Sequence, residues 1–185
     1  VGSSGLASAL ECVARGWPVV PGALWGDNSY VDPVTKLDCE SLALCSPVMA
    51  TLDPELVRRL WPMSEEGVTR SMLAVLGATL AAYAVEPKRA RRVVESEPFR
   101  ASPTPVVVLP LPAAGLMVEF AVFVLSSADE LDEGFVLPPG GCLPLPPVVI
   151  EGHEAQWLVS PAECEGLMTG PELARLLTLE TSNRR

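Results

Sequence analysis

Residues 9–22 read A-L-E-C-V-A-R-G-W-P-V-V-P-G, and this stretch limits the fold more than any other in the chain. A helical run that meets Gly16 stops there, because glycine takes the left-handed conformation that closes a helix without steric cost. The β-branched pair Val19-Val20 follows at once, bounded by Pro21-Gly22. A helix delivered so soon into a short apolar strand implies helices layered against a sheet. The helix is expected over residues 4–15, with Leu6, Leu10, Val13 and Ala14 on one face and Glu11 and Arg15 pointing elsewhere. The strand is expected over residues 17–20, closed by Pro21-Gly22.

Residues 23–49 show no period and carry Gly26, Asp27, Asn28, Pro33 and Pro47, so a long surface loop is expected. A second helix starts at Asp53-Pro54-Glu55: Asp53 caps, Pro54 fits the first helical position, and Glu55 suits the positive end of the dipole. Leu56, Val57 and Leu60 should form its buried stripe, and Pro62 should end it near Trp61. Strands are expected over 68–76 and 80–85, then a helix with Pro87 near its start. Residues 106–109 and 117–125 read as strands with a turn at Gly115, and Phe135-Val136-Leu137 opens a third segment. Three prolines confine the run 142–150 to an edge or an extended loop. Residues 156–159 close the sheet, and residues 171–179 form a last helix with Leu173, Leu176 and Leu177 as its stripe. The expected fold is one α/β (α+β) domain over residues 1–181, a mixed central β-sheet flanked by helices, with a loose tail at 182–185.

The formal net charge of -10 repels a phosphate backbone unless cations are gathered locally, which counts against nucleic acid as the main partner. No apolar run free of proline and charge approaches the ~20 residues that span a bilayer, and the first residues lack the pattern of a signal peptide. The odd set Cys12, Cys39, Cys45, Cys142 and Cys164 has scattered spacings, so free thiols and a cytoplasmic location are expected. The cations are eleven Arg and two Lys in an Ala-, Val-, Pro- and Gly-rich chain, a bias that suggests a GC-rich bacterial genome.

The order of helix, G-W-P-V-V-P, long loop, D-P-E-L-V-R-R-L-W helix and apolar strand resembles the amino-terminal domain of bifunctional DNA primase/polymerases, of the archaeo-eukaryotic primase superfamily. The best matching pieces are residues 9–22 and 50–61, while residues 134–147 with Gln156-Trp157-Leu158 resemble the family's later segments loosely. The resemblance implies a primase/polymerase-like fold, and an acidic strand at residues 80–85 whose carboxylates hold two divalent metals. Two such metals stabilise the attacking hydroxyl and the leaving pyrophosphate in phosphoryl transfer. This chain reads Leu80-Ala81-Ala82-Tyr83-Ala84-Val85 there, with no acid until Glu86. The family's nucleotide-contacting His would fall in residues 115–123, which contain none; the sole His is His153. The resemblance therefore implies a degenerate member, with no catalytic residues, no metal site and no cofactor.

Three readings follow from the sequence. The first is a non-catalytic primase/polymerase-like domain acting on a protein partner in a regulatory or structural role. Its candidate surfaces are residues 23–49, with Trp25 and Tyr30, the helix carrying Lys88, Arg89, Arg91 and Arg92, and the acidic run 129–133. The second is an active nucleotidyltransferase with displaced carboxylates such as Glu86, Glu119 and Asp129. The third is a nucleotide or nucleic-acid binder using Lys88, Arg89, Arg91, Arg92 and Arg100, five of the thirteen cations. Cys12 should be a small buried hydrophobe, and Trp17 and Trp61 should serve packing.

Overall fold

The computed structural model describes residues 5–113 and 116–182. The class is mixed α+β, with several sheets and five α-helices among the described residues. In chain order the first elements are α1 (Gly5–Ala14), β1 (Val19–Gly22), β2 (Leu24–Gly26), β3 (Ser29–Val31), β4 (Asp38–Cys39), α2 (Pro54–Leu60), β5 (Ser71–Val75) and β6 (Ala81–Val85). There follow α3 (Pro87–Glu95), α4 (Glu97–Ala101), β7 (Val106–Ala113), β8 (Leu116–Leu125), β9 (Cys142–Pro144), β10 (Val149–Ile150), β11 (His153–Glu154), β12 (Gln156–Val159) and α5 (Gly170–Ser182). They fall into two compact units: the chain up to Leu76 with residues 140–156, and residues 77–139 with the chain from Trp157 on.

The first unit is built on an antiparallel sheet in the order β1-β5-β9. Pro21 and Gly22 belong to β1 rather than ending it, paired with Met72 and Ser71. The proline-broken β9 takes the edge position, where a missing N–H costs no ladder bond. Helix α1 packs on β5 and α2, but on a different stripe from the expected one. Gly5, Ser8, Ala9 and Cys12 are buried, Leu6, Leu10 and Val13 are half-buried, and Ala14 is exposed. Small side chains let the helix axis come close to the strand; a Cβ on Gly5 would run into the Arg70 carbonyl. Gly16 adopts φ +77°, as the helix stop requires.

Residues 23–49 are not structureless. Strands β2, β3 and β4 form an antiparallel meander, and the β2–β3 connection is Asp27-Asn28, both at positive φ. That is the primed turn that matches strand twist. A second tight hairpin, β10–β11, turns through Glu151-Gly152, also both at positive φ. Helix α2 starts as expected, with the Asp53 carboxylate accepting the Glu55 N–H at 2.8 Å. The buried Trp61 at its end donates its indole N–H to the Ser71 carbonyl at 3.0 Å, fixing α2 to β5.

The second unit carries a four-stranded sheet in the order β12-β7-β8-β6. β8 is its hub, antiparallel to β6 from Ala81↔Leu125 to Val85↔Ala121 and to β7 from Val106↔Phe123 to Ala113↔Leu116. The turn expected at Gly115 lies outside the described residues, as does the expected tail after Ser182. Helices α3, α4 and α5 contribute Ala90, Val93, Phe99, Leu173 and Leu177 to a core shared with Tyr83, Phe123 and Leu125. The segment at Phe135 is not a strand: Glu133–Phe135 forms a 3₁₀ turn capped by Asp132, and Val136 makes one bridge to Tyr83. No described helix is long and apolar enough to cross a membrane.

Replacing Trp61 by Phe keeps most of the apolar contact but removes the indole hydrogen bond to the buried Ser71 carbonyl. Trp61→Phe should cost about 0.5–1.5 kcal/mol, read as a lower urea midpoint at an unchanged m-value.

Candidate functional site

The first unit contains a cleft of about 370 Å³, within the ~300–1,000 Å³ range of ligand pockets. Its wall is set by one ion pair between residues 38 apart in the chain. Asp32 follows β3 and begins a turn in which its own carboxylate accepts the Val34 N–H at 3.1 Å and the Thr35 hydroxyl at 3.0 Å. This is the Asx turn that Asp favours. Arg70, just before β5, meets the same carboxylate two-pronged, Nε to Oδ1 at 2.9 Å and Nη2 to Oδ2 at 2.6 Å. Its Nη1 donates to the Leu60 carbonyl at 2.8 Å, the last residue of α2. One guanidinium thus ties the β3–β4 loop, the end of α2 and the start of β5 together.

The pair is nearly dry, with the Arg70 and Asp32 side chains 16% and 8% exposed. The hydrogen-bonded Arg70 guanidinium holds the Asp32 carboxyl below the usual carboxylate range; burial opposes this, and the Val34 N–H and Thr35 hydroxyl assist. The fork's two charges face each other, so at this wall the cleft offers a fixed shape rather than a free charge. Pro21, Leu37, Leu44, Met49, Leu56 and Leu60 supply the cleft's apolar surface, with the thiols of Cys39 and Cys45. Burial pushes the Cys45 thiol up, away from the thiolate. Leu56 corrects an expectation: only Val57 of the α2 stripe is fully buried, and Leu56 is 38% exposed because it faces the cleft.

Of the cleft's lining, Leu37, Met49 and Leu56 are exposed large apolar side chains, and Val48, Leu52 and Met63 are exposed on the same stretch of chain. Exposed apolar side chains gathered at one cleft mark an interaction site more often than a scattered single leucine does.

The sequence candidates are distributed otherwise. Trp25 and Tyr30 face each other across the β2–β3 hairpin, edge to face, with centroids 4.9 Å apart. Both are half-buried. Burial and the Glu151 charge push the Tyr30 phenol up. Lys88, Arg91, Arg92 and Arg100 are exposed and Arg89 is half-buried. Arg92 and Arg89 both reach Glu180 of α5, at 2.7 and 3.5 Å, so two of the five cations clamp helices inside the second unit. Glu86, Glu119 and Asp129 are each exposed. Among the described residues no three His, Cys, Asp or Glu side chains are grouped so as to hold a metal ion. The acids of 129–133 are exposed around Leu131, which packs on the core. His153 is exposed, its Nδ1 3.1 Å from the Glu151 carbonyl. Cys12 is 4% exposed, and burial pushes its thiol up to about 12, which removes it from nucleophilic chemistry.

Comparison with family models, with curated proteins and with solved structures gives no match.

Arg70→Met leaves the Asp32 carboxylate buried and unpaired, which should cost about 3 kcal/mol at neutral pH. The Asp32 pKa is lowered by folding, so the pair's contribution is complete above the unfolded carboxyl value of ~3.9. It is lost as pH falls through the lower folded value. Urea unfolding of both proteins should therefore show the gap between wild type and Arg70→Met narrowing below about pH 4.

Proposed function

We propose that this chain is a non-catalytic domain of the primase/polymerase type that works through protein contacts, in a regulatory or structural role, with the cleft of the first unit as its contact surface. The carrying observation is a cleft with a rigid wall whose lining includes the exposed apolar side chains Leu37, Met49 and Leu56. Two further features support the reading. The strand β6 carries Ala81, Ala82 and Ala84 where the resemblance calls for metal-binding carboxylates, and alanine has no donor for a hard cation. The Asp32, Thr35 and Arg70 side chains of the cleft are bonded to one another, an arrangement suited to holding a shape rather than moving protons. The setting we propose is the cytoplasm, where thiols stay reduced; none of the five cysteines, all among the described residues, forms a disulfide.

The reading is tested by incubating the pure chain with a primed DNA template, deoxynucleotides and magnesium or manganese. No extension and no metal-dependent nucleotide binding are expected. Templated extension would overturn the proposal in favour of a working nucleotidyltransferase.

A further inference from the structure

The chemistry of the missing partner can be read from the rim of the cleft. Seven of the exposed large apolar side chains fall in residues 37–68, Val68 joining the six already named. Asp38 lines the cleft itself, and Glu40, Asp53, Glu55, Glu65 and Glu66 occupy exposed positions on the segments that bound it. The exposed cations of the same segments are Lys36, Arg58 and Arg59. Lys36 is held by Glu66 at 2.6 Å and Arg58 by Glu55 at 2.6 Å. Subtracting those two pairs leaves Asp38, Glu40, Asp53 and Glu65 against Arg59. The Arg70 guanidinium cannot offset them, because Asp32 neutralises it. The surface is thus an apolar floor within a negative rim, on a chain whose net charge is already -10.

We propose that this cleft docks an amphipathic helix of a partner protein, large apolar side chains inward and Lys or Arg along its flanks. The inference rests on the protein-contact reading above and adds the partner's chemistry. An apolar groove takes the apolar face of such a helix, and the rim charges choose its flanks. Met49, mostly exposed, gives the floor an unbranched side chain that adapts to differing apolar partners. The rim disfavours two other occupants. An anionic lipid surface is repelled by it, and a second copy of this cleft would bring like charges together.

Three fluorescent peptides test this on the whole chain: a short amphipathic leucine–lysine helix, its scrambled sequence, and a leucine–glutamate helix. Anisotropy should show the leucine–lysine helix binding about tenfold or more tightly than either control. The double variant Leu37→Asp/Met49→Asp changes only side chains more than half exposed, so its fold should hold, as circular dichroism would show. It should lose binding about tenfold. Asp38→Lys/Glu40→Lys should lose the leucine–lysine helix while leaving the apolar floor intact. Binding indifferent to scrambling or to the apolar variant overturns the proposal, as does cleft-dependent dimerisation in sedimentation or cleft-dependent binding to phosphatidylserine vesicles. A wild-type chain that ignores the peptide, while partners cross-linked in its native cell fall away in Leu37→Asp/Met49→Asp, overturns the basic-helix chemistry alone. Partners unmoved by that variant overturn the cleft as the contact surface as well.

Discussion

A guanidinium with its donors committed to one carboxylate and one helix end is the constraint on which the first unit's surface depends. Arg70 holds Asp32 with two bonds and the Leu60 carbonyl with a third. Such a fork fixes direction as well as distance, which a lysine at the same place would not do. Both groups are largely withdrawn from water, so the attraction between them is weakly screened. Their desolvation is tolerable only because the Val34 N–H and the Thr35 hydroxyl complete the shell around the acid. The cleft is what remains between three elements held apart at a fixed spacing.

Small residues play the matching part behind it. Gly5, Ser8, Ala9 and Cys12 bring α1 down onto β5, and Trp61 pins the end of α2 to the same strand. The loop meander, α2 and the sheet therefore present their outer faces together. In the second unit the argument runs through packing instead. β8 is an almost unbroken apolar run between two antiparallel neighbours, and Arg89 and Arg92 of α3 hold α5 through Glu180.

Local signals in the sequence carried much of this. Gly16 stopped α1, Asp53-Pro54-Glu55 started α2, Pro87 started α3, and the prolines of 142–150 kept β9 to an edge. What was hidden depended on partners distant in the chain. The stripe of α1 was read by hydrophobicity, whereas the strand beneath it selected for smallness. Leu56 looked like core because its spacing is right, and only the position of the β3–β4 loop shows that it faces a cleft. The meander was legible in principle, since Asp27-Asn28 between L-W-G and S-Y-V is a primed-turn signal. The site was legible only in part. The sequence marks the segment 23–49 as a candidate surface, but it does not mark the Asp32–Arg70 pair. An Asp before Pro33 and an Arg before a strand are each ordinary until the fold sets them side by side. Arg89 and Arg92 looked free because their partner, Glu180, lies on α5, far along the chain.

The central claim is that one buried fork holds the cleft, and amide hydrogen exchange in Arg70→Met addresses it most directly. In the wild type the Asp32 and Lys36 amides close the loop on the Leu37 and Asp32 carbonyls, and the Trp61 amide closes α2 on Val57. The account predicts that these amides lose protection in the variant while those of β7 and β8 keep theirs, because only the elements tied by Arg70 are released. Unchanged protection at all three, or an equal loss in β7 and β8, would contradict it.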